Sequence, residues 1–453
     1  MLLVILLTQV ALTAISYRVN RSQKLIGTLY ITFNIWWSLL LIVSYFFPYG
    51  GYKISSDTYI LIWIFLTVFN SFFLLSCSKK KSNHNINIVD DKKSLSKMER
   101  LPQQYVHYIL NNKKLTVILY VVTILLVFYA IRYSSIMTLD NVLNARNERF
   151  YVGGLFKSTY ELLFYNFFVS AFRYYFSFVV AFSLLFGMVK NRQFILCLLD
   201  LLLYSYIGSS RLPLVLLIVS VLLMWIIRNS CHDKRKDTHN IKRFLFVICA
   251  VALGLFGMSY LTAFRRGMLD FSFKAVMDNF NILNDQILNY CIGPLSGLSY
   301  LYDSGVMKNH LFFGRAVILN GFDELLSYLL GFMGIHFSYA KNELGAISNV
   351  SYEIGNTTFN ALFTCIYWFY SDFGIAGVFL FSGLFAYVEK RCIVLFLDRI
   401  NIFSMMLLVH VAYFMMMSNM IWQITNLDSL LYIIVLSVMY KKTKNVSSIQ
   451  ADT

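Results

Sequence analysis

The chain has 453 residues, of which 58% are hydrophobic and 14% are charged. Soluble globular domains contain fewer apolar residues and about a quarter charged residues, so this composition excludes a soluble fold. The formal net charge is +16. Because strongly apolar chains cross the membrane as helices, the sequence predicts an all-α polytopic membrane protein.

Apolar runs follow one another along the chain and predict about 11 transmembrane helices, within a range of roughly 10 to 12. These runs lie at 1–16, 25–47, 59–77, 115–131, 166–189, 194–209, 212–227, 244–264, 374–389, 402–418 and 429–440. The first run resembles a signal peptide. Because no basic segment precedes it and no small-residue cleavage site follows it, we interpret it as a retained span.

Lysine and arginine are concentrated in six of the polar segments. The segments 17–24, 78–114, 190–193, 228–243, 390–400 and 441–453 hold two thirds of the basic residues and the whole surplus of +16. Cytoplasmic loops carry such an excess. We therefore predict that these segments and the C-terminus are cytoplasmic and that the N-terminus is periplasmic. The basic excess reflects membrane insertion, so no nucleic-acid partner is expected.

Three consecutive regions are predicted. Residues 1–264 form an N-terminal membrane domain of about eight spans, residues 265–372 a large periplasmic loop, and residues 373–453 a C-terminal membrane domain of about three spans with a short tail. The loop is expected to form amphipathic helices on or near the membrane surface. In Phe271 to Tyr290 the apolar residues recur at helical spacing, which favours a helix packed on the membrane domain over a ligand groove.

Arginines on the outer side oppose the insertion bias, so those close to the membrane indicate a function. Guanidinium pairs phosphate oxygens bidentately, and the set predicts an anion site for a lipid phosphate. Arg211 is the strongest candidate because it lies in a very short turn between two spans. Alternatively, each arginine snorkels to headgroups or pairs with a carboxylate. The set comprises Arg146, Arg149, Arg173, Arg211, Arg265 and Arg266.

Other ionisable side chains are candidate functional groups because they lie within predicted spans or in the predicted outer loop. Asp200 and His410 lie within predicted spans and are functional candidates by default, with an interhelical hydrogen bond as the alternative. In the outer loop, His310 and His336 are candidate general bases, and Arg315 is a candidate substrate-binding residue. The loop contains no Asp-x-Asp pair and the seven cysteines lack ligand spacing, so neither a metal nor another cofactor is expected.

A segment near the C-terminus resembles a family signature. It begins at Asn356-Thr-Thr-Phe, continues through aromatic residues to Asp372-Phe-Gly374 and Gly377, and leads into a predicted span that contains Gly383. This pattern resembles the C-terminal signature of the bacterial O-antigen polymerases, which are Wzy-type oligosaccharide repeat-unit polymerases.

Two further features look like that family. The turn Gly208-Ser-Ser-Arg211 before a leucine-rich run is similar to the family's Gly-Ser/Thr-Arg turn. Arg265 and Arg266 stand where the family usually has an arginine after the next span. The family also has a comparable number of spans and a large late periplasmic loop, so the resemblance covers the layout of the whole chain and implies a GT-C-like fold.

The resemblance implies a metal-independent glycosyltransferase of the bacterial inner membrane. It would join undecaprenyl-pyrophosphate-linked oligosaccharide repeat units at the periplasmic face, with membrane lipid and a chain-length regulator protein as further expected partners. The candidate catalytic residues are Arg211, Arg265, Arg266 and Asp372. The candidate substrate-binding residues are Arg146, Arg149, Arg173, Arg315 and His336. The general base remains open between Asp372, Glu353 and His336.

Both the role of Asp372 and the function of the protein have alternative interpretations. Asp372 has a structural alternative as the N-cap of its own span, and Gly374 and Gly377 allow a sharp turn and close packing. At the level of function, an O-antigen ligase catalyses the same class of reaction with a lipid A core acceptor. A lipid-linked oligosaccharide flippase or another transporter is an alternative of a different class, and a purely structural scaffold is a third.

Overall fold

The computed structural model describes residues 1–19, 24–75, 98, 100–136, 154–208, 210–231, 256–257, 273–309, 311–348, 352–359 and 363–449. These residues form α-helices and one antiparallel hairpin, with a π-helical turn at Val106–Leu110 and another at Tyr165–Val169. The elements are, in chain order, α1 (Leu2–Val19), α2 (Lys24–Phe46), α3 (Ser56–Leu75), α4 (Leu101–Tyr105), α5 (Lys113–Ile136), α6 (Thr159–Phe164), α7 (Phe172–Phe186), α8 (Arg192–Gly208), α9 (Leu212–Cys231), α10 (Phe273–Asp303), α11 (Asn320–Phe332), α12 (Ala340–Ser348), β1 (Tyr352–Ile354), β2 (Thr357–Phe359), α13 (Cys365–Asp398), α14 (Ile402–Met417) and α15 (Leu427–Ile449).

Six helical stretches of the described residues are long and apolar enough to cross a membrane. They are α2, α3, α5, the stretch Thr159–Phe186, α9 and α13, while α1 and α14 are apolar but shorter. The chain is thus an all-α membrane protein, because a helix satisfies its own backbone hydrogen bonds in lipid. The total of about 11 spans stays a prediction, and most of the run at 244–264 lies outside the described residues.

The chain forms two compact units, each assembled from separate parts of the sequence. The first unit consists of Met1–Asp90, Gln286–Asp398 and Phe414–Leu430. The second consists of Asp91–Asp285, Arg399–Tyr413 and Leu431–Thr453.

In the first unit, α13 packs along α3 through aromatic side chains. The rings of Phe65 and Phe369 lie 6.2 Å apart, and those of Phe69 and Phe385 lie 5.5 Å apart. From the first pair to the second, the residue number increases on both helices, so the two helices run parallel. The topology predicted from charge also has these two spans running in the same direction.

The predicted amphipathic segment Phe271 to Tyr290 is helical from Phe273 onward, as part of α10. Beyond it, α10 continues into buried turns where Gly293 and Gly297 receive the ring of Phe359. A Cβ added at these glycines would lie 2.7 Å and 2.8 Å from that ring. The hairpin that carries Phe359 also donates a hydrogen bond from the backbone N–H of Asn356 to the carbonyl oxygen of Gly50, at 2.8 Å. The turn after α2 and the hairpin therefore lie at the same end of the first unit.

In the second unit, hydrogen bonds and stacked rings join helices that are distant in sequence. The Tyr105 and Phe182 rings stack at 4.6 Å. The Gln193 amide donates to the carbonyl oxygen of Ile109 and to the hydroxyl of Thr116, both at 3.0 Å. Because the Gln193 side chain is buried, these hydrogen bonds stabilise the packing of α8 against α5.

Candidate functional site

The Asp-Phe-Gly segment forms a kink inside α13. Phe373 (φ −142°, ψ 25°) and Gly374 (φ 62°, ψ −142°) leave the helical conformation. The positive φ of Gly374 suits glycine, which has no Cβ to clash with the backbone. Three residues later, a Cβ added at Gly377 would lie 2.1 Å from the carbonyl oxygen of Phe369. The sharp turn predicted at Gly374 is confirmed, whereas the contact at Gly377 lies within α13, so close packing of this span against another stays a prediction.

We expect Gly377→Ala to lower the free energy of unfolding by about 2 to 3 kcal/mol, because the kink must shift to relieve the overlap. The measurement is thermal unfolding in detergent, followed by circular dichroism. Gly27→Ala on α2 is the matched control, since its added Cβ meets no atom within 4 Å. Equal melting temperatures for the two variants would contradict the packing described for Gly377.

Asp372 precedes the kink, and its side chain attaches residues 316 and 317 to α13. It is 0% exposed. One carboxylate oxygen accepts the N–H of Ala316 and the other accepts the N–H of Val317, both at 2.9 Å. The predicted alternative role, the N-cap of its own span, is therefore wrong. The carboxylate instead satisfies the backbone of another segment, 56 and 55 residues away.

The backbone carbonyl oxygens of Ser371 and Asp372 complete this attachment. Because the kink interrupts the helical hydrogen bonds, carbonyl oxygens before it need other partners. The carbonyl oxygen of Ser371 accepts the N–H of Phe312 at 2.9 Å, and that of Asp372 accepts the N–H of Phe313 at 3.1 Å. The kink thus makes the end of the first half of α13 a docking point for residues 312–317.

Arg315 lies on this docked segment and connects it to α11 and to the segment that precedes α12. Its Nε donates to Asp323 Oδ1 at 3.1 Å, and its Nη2 donates to Asp323 Oδ2 at 3.2 Å and to the carbonyl oxygen of Ser338 at 2.7 Å. The guanidinium also lies over the ring of Phe337, 5.0 Å from its centre. Arg315 keeps 33% of its side chain exposed. It is a structural connector with one accessible side.

A second ion pair lies next to the first. Lys341 Nζ donates to Glu324 Oε2 at 3.1 Å. Burial lowers the pKa of Lys341, but the carboxylates of Glu324 and Asp428 outweigh this effect and raise the pKa above its ordinary value. Asp323 and Glu324 are adjacent on α11, so their side chains diverge, and each pairs with a different cation. We call Arg315, Asp323, Glu324 and Lys341 the loop cluster.

The charge of the loop cluster limits what it can bind. Its two cations face its own two carboxylates, and Asp372 lies near Arg315 while Asp428 lies near Lys341. Carboxylates therefore outnumber cations in this part of the first unit. A phosphate would require a cationic excess, so the loop cluster alone does not form a strong anion site.

The candidate general bases differ in access to solvent. Asp372 is buried, and both of its carboxylate oxygens accept backbone hydrogen bonds. By contrast, His336 is exposed in the turn before α12, two residues before Ser338, and Glu353 is exposed on β1. In this arrangement Asp372 is a positioning residue, whereas His336 and Glu353 are accessible to a hydroxyl group in solution.

In the second unit, Arg173 is surrounded by phenol groups. Its Nη2 donates to the hydroxyl of Tyr174 at 2.7 Å and its Nη1 to the hydroxyl of Tyr204 at 3.4 Å. The Tyr204 hydroxyl also lies 2.8 Å from Ser170 Oγ. The Tyr174 ring contacts the ring of His410 at 4.4 Å. Arg173 is therefore oriented by hydroxyl groups at the start of α7, immediately after a π-helical turn, a feature that is frequent at functional sites.

Arg211 occupies the tight turn that the sequence predicts. The preceding helix α8 ends at Gly208 and α9 begins at Leu212. The carbonyl oxygen of Arg211 accepts the N–H groups of Leu214 and Val215, both at 3.0 Å. These hydrogen bonds fix the backbone of Arg211 to the first turn of α9, and its side chain is half-buried.

The predicted site residues are distributed between the two units. Asp372, Arg315 and His336 belong to the first unit, whereas Arg173 and Arg211 belong to the second. The remaining candidates lie outside the described residues; they are Arg146, Arg149, Arg265, Arg266 and His310.

Asp200 in α8 and Glu389 in α13 are further buried carboxyl groups within helices. Asp200 accepts a hydrogen bond from Thr123 Oγ1 at 3.0 Å, which confirms the interhelical hydrogen bond considered for it. Sequence reasoning missed Glu389, which is 0% exposed and has no hydrogen-bond partner for either oxygen. Its sequence signal is an acidic residue at the very end of the apolar run 374–389.

Comparisons of this chain with protein-family models, curated proteins and solved structures give no match. Inference about function therefore rests on the residues and their geometry.

Proposed function

We propose that this protein is an O-antigen polymerase of the bacterial inner membrane. It joins undecaprenyl-pyrophosphate-linked oligosaccharide repeat units by glycosyl transfer at the periplasmic face. The observation that carries the proposal is the kink at Asp372-Phe-Gly374, which attaches residues 312–317 of the loop to a candidate span. The segment that resembles the family signature therefore holds loop residues 312–317 against α13.

The chemistry of lipid-linked sugars suits a protein of this kind. Outside the cytoplasm there are no nucleotide sugars, so the donor must bring its own leaving group. A lipid pyrophosphate does so while its chain stays in the bilayer. Its departure from the anomeric carbon places negative charge on phosphate oxygens, and preorganised guanidinium groups stabilise that charge without a metal ion.

In the proposed mechanism, Arg211, Arg265 and Arg266 stabilise the departing pyrophosphate, and Arg146, Arg149 and Arg173 bind phosphate or sugar oxygens. The proton of the acceptor hydroxyl passes to an accessible base, for which His336 and Glu353 are the exposed candidates. Asp372 positions the loop, and Arg315 presents its accessible side to substrate while its other side pairs with Asp323.

Deletion of the gene in its native host tests this proposal. We expect lipopolysaccharide separated by length on a gel to show a core that carries a single repeat unit. Units would then be made, flipped and ligated but not joined. Expression of the wild-type gene from a plasmid should restore the ladder of longer chains.

The same gel distinguishes the competing functions. A core without any repeat unit would indicate an O-antigen ligase or a lipid-linked oligosaccharide flippase. An unchanged ladder would contradict all three functions.

A further inference from the structure

The helix α11 has its polar and apolar faces reversed relative to a helix of a water-soluble domain. Phe322, Leu326, Leu329 and Phe332 are 62%, 44%, 51% and 47% exposed. They recur at intervals of four, three and three residues, so they lie on one face. In water, such a face would be expected to pack inward and the charged face to point outward.

The opposite face of α11 is polar and buried. The Asn320 side chain donates to Asn426 Oδ1 at 2.9 Å, Asp323 accepts from Arg315, and Glu324 accepts from Lys341. One turn later, Ser327 Oγ donates to the carbonyl oxygen of Phe337 at 2.8 Å. The polar groups of this helix are thus satisfied inside the protein.

The apolar surface continues on both sides of α11. The neighbouring exposed side chains are Leu311, Phe313, Ile318, Leu319, Met333 and Ile335. Between residues 311 and 335 the charged residues are Arg315, Asp323 and Glu324, and all three are engaged in the loop cluster. We call the exposed apolar side chains of residues 311–335 the apolar loop face.

This face is joined to the exposed surface of a candidate membrane span. The ring of Phe313 lies 6.1 Å from that of Phe373 at the kink of α13. Beyond the kink, α13 exposes Ile375, Phe379 and Leu380 at 51%, 54% and 55%. The described residues before the kink in α13, from Cys365 to Asp372, are buried. The exposed apolar surface of α13 therefore begins at the level where the loop segment contacts it.

We propose that the apolar loop face lies in the hydrocarbon of the membrane, so that residues 311–335 form a lipid-immersed element instead of part of a water-exposed loop. Hydrocarbon solvates exposed leucine and phenylalanine side chains, and it requires polar groups to be satisfied within the protein. Both conditions hold for α11. Protein–protein interfaces have a polar rim, whereas the charged residues here are held in the ion pairs of the loop cluster and the apolar surface continues onto a candidate span.

The test uses the full-length wild-type protein in nanodiscs that contain phosphatidylcholine with a photoactivatable diazirine in its acyl chain. After irradiation, trypsin releases residues 316–341 as one peptide, between Arg315 and Lys341. We expect mass spectrometry to find label at Phe322, Leu326 and Leu329. Residues 375–384 of α13 are the positive control and residues 352–359 of the hairpin are the water-exposed control.

A variant pair makes the test specific. Leu326→Glu combined with Leu329→Glu is expected to reduce labelling of the 316–341 peptide roughly tenfold, because a charged group resists entry into hydrocarbon. The matched control, Asn342→Glu combined with Ala346→Glu, adds the same charge to exposed positions of α12 and should leave the labelling unchanged.

Two results would overturn the proposal. In the wild-type protein, labelling of residues 316–341 at the level of the hairpin, while residues 375–384 are labelled, would show that lipid does not cover the face. Cross-links from this peptide to a second copy of the chain, in place of lipid, would identify a protein interface. Labelling is measured without turnover, so neither result depends on the proposed polymerase reaction.

Discussion

Asp372→Ala is expected to lower the free energy of unfolding by about 4 kcal/mol and to abolish polymer formation. Its carboxylate accepts the N–H groups of Ala316 and Val317 inside the protein. Alanine leaves both donors buried without partners, and each costs about 1 to 3 kcal/mol. Thermal unfolding of the purified protein and the length of the polysaccharide in a deletion strain measure the two effects.

Two companion variants separate this role from a general loss of charge. Asp372→Asn keeps one acceptor oxygen and should therefore lose about half as much stability. Asp57→Ala removes an exposed carboxylate from the first turn of α3 and should change stability by less than about 0.5 kcal/mol. If Asp372→Ala proved as stable as Asp57→Ala, the loop would not depend on this carboxylate.

Arg211→Ala should reduce polymer formation by about 10² to 10³-fold, the usual effect of removing one donor that stabilises a developing oxyanion. The backbone of Arg211 is held by hydrogen bonds from Leu214 and Val215, which alanine can still accept. The amount of inserted protein should therefore remain unchanged. The measurement is chain length on a gel, with the variant expressed in the deletion strain.

Arg211→Lys should restore polymer formation only in part, because an ammonium group lacks the bidentate fork of guanidinium. The same loss is expected for Arg265→Ala and Arg266→Ala. Arg391→Ala is the matched control, since Arg391 is exposed and belongs to a predicted cytoplasmic segment. Full-length polymer in all three alanine variants would show that these arginines do not form the anion site.

The two sets of variants address different parts of the proposed mechanism. Asp372 acts on the position of a loop segment, and its loss should lower melting temperature and activity together. In the proposed mechanism Arg211 stabilises the charge of the leaving group, so its loss should reduce activity without a change in melting temperature. Comparing the two readouts therefore distinguishes a positioning residue from a catalytic one.

The sequence by itself was sufficient for features that depend on local chemistry. The membrane class follows from composition, because apolar segments partition into lipid whatever their neighbours are. The turn that ends α8 at Gly208 and the sharp backbone turn at Gly374 were also predictable. Glycine conformations and helix ends depend on a few adjacent residues. The number of spans and their orientation stay predictions from charge and hydropathy.

Only the tertiary structure decided which groups each charged side chain contacts. Sequence reasoning assigned Asp372 either to catalysis or to an N-cap, but its partners are backbone groups 55 and 56 residues away. Arg315 was predicted to bind substrate, and the structure gives it the carboxylate of Asp323 as a partner. The reversed faces of α11 were likewise not predictable, because helical periodicity identifies an apolar face without saying whether protein, water or lipid covers it. That choice depends on which distant segments satisfy the polar face of α11, and folding of the whole unit determines it.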